Sequence, residues 1–308
     1  MTDVQMAGLG EVLWDCFPTG RKPGGAPANV AYHVQQLGLP AAVLSRVGND
    51  PLGAALLDYL QQHGLSTGWI QRDACHPTGT VTVSFAEGQP RYIIHEPAAW
   101  DALDWTAEWQ GLMSHIRALS FGTLAQRSSV SRETLYACLQ ATSATCLRVY
   151  DINLRPPFVE RRWLEQSLEL ATVAKCNQEE ARWLAQLWGA PVDQETAFAP
   201  WLAQRFGLQA VVVTRGERGV LAWIEGRTYD LPGISVAAVD PVGAGDAFTA
   251  GFIYGWLQQW EPWATLTLAN RLGALVASLP GAMPPIRPHL SAIWHDLPSP
   301  PRCSEENI

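Results

Sequence analysis

The chain has 308 residues, 47% hydrophobic and 16% charged, with 26 Gly and 22 Pro spread along it. That is enough apolar residue for a full core, and it excludes a disordered chain or a coiled coil. Acidic residues outnumber basic ones 29 to 21, a formal charge of -8, which is the wrong sign for a nucleic-acid partner.

The amino terminus has neither a basic start nor a long apolar segment, and no uninterrupted apolar run of about 18 residues follows, so neither export nor a membrane span is expected. From there, apolar VQMAGLG, helical ANVAYHVQQLG, apolar AAVLSRVG and helical LGAALLDYLQQHG alternate, each helix closing on a glycine. The alternation returns in IRALSFG, ETLYACLQAT, LRVYDINL, a helix from Trp163 to Ala171, TVAKCN, a helix from Gln178 to Trp188, and QAVVVTRG. Strands apolar on both faces predict an α/β fold with a mostly parallel sheet covered by helices on both sides. Two stretches break the pattern. GTVTVSFAEGQPRYIIH reads as two strands of alternating polarity around a Glu-Gly-Gln-Pro turn, and EVLWDCFP is placed to pair with them. These pieces, about 11–24 and 78–97, form a small β-sheet lid on a single domain spanning 1–308, and 298–308 reads as a flexible tail.

The strongest local signal is ISVAAVDPVGAGDAFTAGFIYGW. An apolar strand is expected to run into Asp240, a turn Gly243-Ala244-Gly245 follows, and Asp246 opens an apolar helix. Small residues and successive amides at a helix start make an anion nest. Asp246 is then either a helix N-cap or a carboxylate that accepts the proton of an attacking hydroxyl while the amides stabilise charge on a phosphate. A dinucleotide fingerprint fails, because Phe248 stands at its third glycine position. The only lysines, Lys22 and Lys175, lie in neither a P-loop nor a protein-kinase context. The cysteines, Cys16, Cys75, Cys138, Cys146, Cys176 and Cys303, form no Cys-x-x-Cys pair, which fits reduced thiols in the cytoplasm. The histidines show no metal spacing, His33 reads as a packed helix residue, and Trp163, Trp183, Trp188 and Trp256 read as core or groove packing.

DPVGAGDAFTAG resembles the carboxy-terminal signature of the ribokinase, or PfkB, family of carbohydrate kinases. PGGAPANVAYHVQQLG with SRVGNDPLG resembles its amino-terminal signature. The likeness runs from Gly8 to about Pro285, and GEVLWD followed by GGAPANVAYH is most similar to bacterial fructokinases. It implies a ribokinase-like three-layer sandwich and an ATP- and magnesium-dependent sugar kinase. Asp246 matches the general base, and Gly243, Ala244 and Gly245 the anion hole. Asn177 and Glu180 match an Asn-x-x-Glu motif that organises magnesium through water, although the same spacing is a helix capping box. Thr214, Arg215, Gly216 and Gly219 would line the ATP cleft, and Asn270 and Gly273 would face the base. Asp15, Gly24, Gly25 and Asn29 match the acceptor site, where a carboxylate and an amide suit vicinal hydroxyls. Asn153 and Arg155 of DINLRP are candidates for substrate or phosphoryl contact, with a surface ion pair as the alternative for Arg155.

Pro241 replaces the family's usual Thr and puts in question the potassium loop that many members build around Asp240, Val242 and the turn from Leu279 to Gly281. Ile152 stands where Pro is usual. The expected reaction is phosphorylation of D-fructose at its primary hydroxyl. Rival acceptors are 2-keto-3-deoxygluconate, ribose or a nucleoside such as aminoimidazole riboside, and a rival class is a sugar-binding protein without turnover. The lid's alternating apolar residues predict a homodimer through that sheet, with Val83 on the covered face.

Overall fold

The computed structural model describes residues 3–86, 89–190 and 195–298. The chain starts with β1 (Met6–Leu9), β2 (Leu13–Phe17) and β3 (Gly20–Gly24), then runs through α1 (Ala26–Gln36), β4 (Ala41–Gly48), α2 (Pro51–Gln62) and β5 (Ile70–Asp73). A hairpin, β6 (Gly79–Ala86) and β7 (Gln89–Ile94), precedes α3 (Ala107–Met113), β8 (Ala118–Gly122), α4 (Ser129–Ala141), β9 (Leu147–Asp151) and α5 (Arg161–Leu170). Next come β10 (Val173–Asn177), α6 (Gln178–Trp188), α7 (Phe198–Phe206), β11 (Ala210–Thr214), β12 (Val220–Ile224) and β13 (Arg227–Leu231). The chain closes with α8 (Ala244–Leu257), α9 (Pro262–Ala277) and the short α10 (Leu290–Ile293).

Local chemistry sets several of these boundaries. Asp50 caps α2 by accepting from Gly53 N at 2.7 Å, with Pro51 in the first helical position. Helices α6 and α7 stop at Gly189 and Gly207 in the left-handed conformation.

The main sheet has the order β13-β12-β11-β10-β9-β8-β1-β4-β5 and is parallel from β5 through β11, with β12 and β13 antiparallel at one edge. Successive residues serve opposite faces: Val43 and Val149 pack into the layer of α1, α8 and α9, while Leu44 and Tyr150 pack into the layer of α4 to α7. From β1 the chain moves to β4 on one side, and from β8 onward to the other. The order therefore reverses at β1, and a crevice opens at the carboxyl ends of the strands there.

The lid is a four-stranded sheet, β3-β2-β6-β7, in which β2 pairs with β6 in parallel. Its register pairs Ala86 with Gln89 and Phe85 with Pro90. Gln89 and Pro90 thus belong to β7 and not to the turn, whose residues 87–88, like 299–308 of the expected tail, lie outside the described residues.

Three expectations are corrected. No strand leads into Asp240: residues 232–240 are irregular, and Ile234, Val236 and Val239 are exposed. This stretch bonds to α9 in place of a sheet neighbour, with Asn270 Nδ2 donating to Pro232 O at 2.8 Å and Val239 N to Ala277 O at 2.9 Å. Val83 is only 2% exposed within one chain, packed with Leu13, Val81, Phe17 and Ile94, because β2 lays its apolar side chains beside β6. Among the described residues, the lid's exposed large apolar side chains are instead Tyr92 and Ile93 on the edge strand β7. Trp183 is exposed on α6, unlike the buried Trp163.

Candidate active site

The turn before α8 makes the site's centre. Gly243 is the N-cap residue with φ 81°, and a Cβ there would stand 2.6 Å from Ala282 Cα, so both conformation and space demand glycine. His33 is buried and within 2.9 Å of Ala282 O on the far side of that contact, and burial lowers its pKa to about 4, which keeps the ring neutral. It is the packing residue the sequence suggests. Asp246 lies in the first turn of α8, where backbone amides lack intrahelical partners. It is not the cap. Its Oδ2 accepts from Asn29 Nδ2 at 2.7 Å, a contact spanning 217 positions that joins the two signatures in space. Burial, and next the charge of Asp151, raise the Asp246 pKa to about 6, against the opposing pull of Lys175, Asn29 and Arg155.

Sequence reasoning missed what lies beneath. Lys175, in the middle of β10, donates to Asp151 Oδ2 at 2.7 Å, and both side chains are buried. A Cβ on Gly245 would come within 3.0 Å of Lys175 Nζ, so the ammonium lies directly against the Gly243-Ala244-Gly245 turn. Thr249 Oγ1 ties the two together, donating to Gly245 O at 2.9 Å and lying 3.4 Å from Asp151 Oδ2. Burial alone would lower the Lys175 pKa, but the carboxylates of Asp151 and Asp246 turn the net shift upward. A lysine inside the otherwise apolar strand TVAKCN was the available signal, since an unpaired buried ammonium is too costly to occur there.

On the acceptor side, Asp15 projects from β2 against β3, and a Cβ on Gly24 would meet Asp15 Oδ2 at 2.4 Å. Gly25, with φ 109°, opens α1 so closely over the Glu11 carbonyl that a side chain has no room. Burial raises Asp15 to about 6, with Arg155 and Lys22 pulling it down and Asp240 pushing it up. A second acid was overlooked: Glu11, buried just after β1, accepts from Ala26 N at 3.3 Å, and burial raises its pKa to about 7. Its Oε2 and the Oδ1 of Asn29 are buried without a hydrogen bond. Asn153 holds a left-handed φ of 39° in the loop after β9. Arg155, from the same loop, is exposed yet acts electrostatically on Glu11, Asp15 and Asp246 alike.

The nucleotide side gathers less completely. Asn177 and Glu180 form the capping box of α6: Asn177 Oδ1 accepts from Glu180 N at 2.9 Å and Glu180 Oε2 from Asn177 N at 2.8 Å. Glu180 Oε1 also accepts from Leu154 N at 2.8 Å, which clamps the DINLR loop, and burial raises its pKa. Among the described residues no cluster of three or more His, Cys, Asp or Glu could hold a metal directly. Asn177 and Glu180 present oxygen donors, the ligand chemistry that suits a magnesium ion held otherwise by phosphates and water. Thr214 ends β11, while Gly216 and Gly219 shape the next turn with positive φ. Arg215 pairs with Asp230 and Glu195. Asn270 binds the Pro232 carbonyl, and Gly273 packs against the Ala244 carbonyl, which lets α9 approach α8. Asp240 accepts from Val242 N, Gly281 N and Lys22 Nζ.

The sequence profile of the pfkB family carbohydrate kinases matches residues 2–289. The fructokinases of Escherichia coli and Klebsiella pneumoniae are each 31% identical, over 89% of this chain and 94% of theirs. Xylella fastidiosa fructokinase with bound ATP superposes with a TM-score of 0.84 at 23% identity, covering 96% of this chain and 99% of that one. A Vibrio cholerae fructokinase double mutant, solved with fructose, ADP and a potassium ion, gives a TM-score of 0.78 at 26% identity over 95% and 98%. The fold is that of ribokinase-like sugar kinases, with the mostly parallel sheet and small second sheet described above. The chain belongs to the pfkB family of carbohydrate kinases and is a sugar kinase.

Proposed function

We propose that the chain transfers the γ-phosphoryl group of ATP to the primary hydroxyl of D-fructose, giving fructose 6-phosphate. The observation that carries this reading is the 2.7 Å bond between Asn29 and Asp246, which puts the proton acceptor beside an acceptor-site amide at the start of α8. Asp246 is ionised at neutral pH and takes the hydroxyl proton. The amides of Gly243, Ala244 and Gly245, with Lys175 below them, stabilise charge on the transferring group. Asp15, the free Oδ1 of Asn29 and Glu11 Oε2 supply the polar partners for sugar hydroxyls, and Arg155 faces the same acids. Magnesium, held through Asn177, Glu180 and water, neutralises phosphate charge when bound. Thr214, Gly216, Gly219 and the exposed Ile234, Val236 and Val239 offer the rim for the nucleotide. The lid, which carries Asp15, closes over the sugar and keeps water out.

Fructose as the acceptor is supported by GEVLWD with GGAPANVAYH and by the two fructokinases at 31% identity. An ADP-release assay across fructose, ribose, 2-keto-3-deoxygluconate and aminoimidazole riboside tests it: kcat/KM is expected to be highest for fructose, and a higher value for any other acceptor reassigns the substrate. The reading includes a homodimer joined at β7, where Tyr92 and Ile93 are exposed, and a cytoplasmic setting, in keeping with the free thiols of Cys16, Cys75, Cys138, Cys146 and Cys176.

A further inference from the structure

A potassium ion accompanies the ligands of the Vibrio cholerae fructokinase, and the family resemblance would put such an ion at the loop around Asp240, Val242 and the turn from Leu279 to Gly281. Its residues do not fit such an ion. Asp240 Oδ1 already accepts from Val242 N at 3.1 Å, and Oδ2 accepts from Gly281 N at 3.1 Å and from the Lys22 ammonium at 3.3 Å. Pro241 offers neither an amide nor a hydroxyl to reshape the loop. A potassium ion would have to share this carboxylate with an ammonium group of the same charge and similar size, and two such cations repel at contact distance.

The position of Lys22 is built, not incidental. Lys22 pairs directly with Asp15 across β2 and β3, so both side chains lie on one face of the lid. Its stem passes Gly281, where an added Cβ would stand 3.7 Å from Lys22 Cδ, and its ammonium lies 5.4 Å from the centre of the Phe17 ring. A half-exposed ion pair of this kind adds little to folding. Its charge matters where it is delivered, beside the loop that opens the anion hole.

We propose that the Lys22 ammonium takes the place of the monovalent cation in this chain, so that phosphoryl transfer needs no potassium and the activating charge arrives with the sugar-binding lid. The inference rests on the sugar-kinase reading and is independent of which sugar is used.

The test compares wild type and Lys22→Met in potassium, sodium and choline chloride at constant ionic strength, by turnover and by thermal melting. Wild type is expected to turn over and melt alike in all three salts. Lys22→Met is expected to lose about tenfold in kcat in choline, to recover most of it in potassium, and to melt higher in potassium than in choline. Potassium activation of the wild type by more than about twofold overturns the proposal, as does a loss in Lys22→Met that potassium does not restore, or no loss at all. Should the variant fail to fold, the salt response of the wild type decides alone. Should no sugar be turned over, the acceptor reading fails separately, and the melting shifts still report whether potassium binds.

Discussion

On the body side of the site, Asn29, Asp246, Asp151 and Lys175 are each no more than 8% exposed and are held by one another or by Thr249. On the lid side, Asp15 is half-buried and the Lys22 side chain is 46% exposed, with an ion pair to Asp240 at 3.3 Å as its tie to the body. The two halves face one crevice and differ in how firmly their groups are fixed. Buried groups that satisfy each other are preorganised before substrate arrives, which suits stabilisation of a transition state. Groups that stay partly in water reach full effect only when a sugar covers them, which suits selection of the acceptor.

That division makes the largest effects fall on the body. Asp246→Asn keeps the bond geometry to Asn29 but removes the base, and kcat should fall by about 10²- to 10⁴-fold, while ATP binding by calorimetry and the melting temperature stay close to wild type. A variant keeping more than about a tenth of the activity would remove Asp246 as base. Lys175→Met leaves Asp151 buried without its cation, which should destabilise the fold by about 3–5 kcal/mol in denaturant titration. Adding Asp151→Leu should restore much of that stability without restoring turnover, which would separate the structural part of the pair from its electrostatic part.

On the lid side, Asp15→Ala should raise KM for the sugar by about 10- to 100-fold through loss of charged hydrogen bonds, with KM for ATP unchanged. Equal losses for both ligands would break the division drawn above. Proton linkage gives a smaller, signed effect. As the proposed base, Asp246 acts in its ionised form, so kcat/KM should fall as pH drops through about 6. Glu11 is protonated in the folded state up to about pH 7 against 4.5 in the unfolded chain, so folding holds the extra proton between those values and stability declines as pH rises through that window. Glu11→Gln should flatten that part of the melting-temperature profile, and an unchanged profile would mean the acid is not shifted. The smallest effect is expected at the edge strand, where Ile93→Asp should halve the mass seen by light scattering if β7 joins two copies. Val83→Glu is no test of that contact, because Val83 is buried within one chain.

Much of this was legible from residue order. Alternating apolar strands and glycine-ended helices specify a parallel α/β sheet, because only burial on both faces rewards strands without polar positions. The Gly-Ala-Gly-Asp turn marks the helix start, because φ 81° at Gly243 and its contact with Ala282 admit no other residue. The stretch ISVAAV reads as a strand by the same apolar rule, yet its backbone bonds to α9, a choice that depends on a helix more than 30 positions away. The short β3, with Pro23 and two glycines in five residues, carries no strand signal and exists only because β2 pairs with it. Sequence alone fixed which residue types were on hand for phosphoryl transfer. Tertiary structure decided that both lysines converge on one loop, Lys175 under Gly245 and Lys22 against Asp240, and that Asn29 grips Asp246 across 217 positions. Contacts of that range are set by how strands and helices stack, and local sequence holds no record of which distant group will arrive opposite.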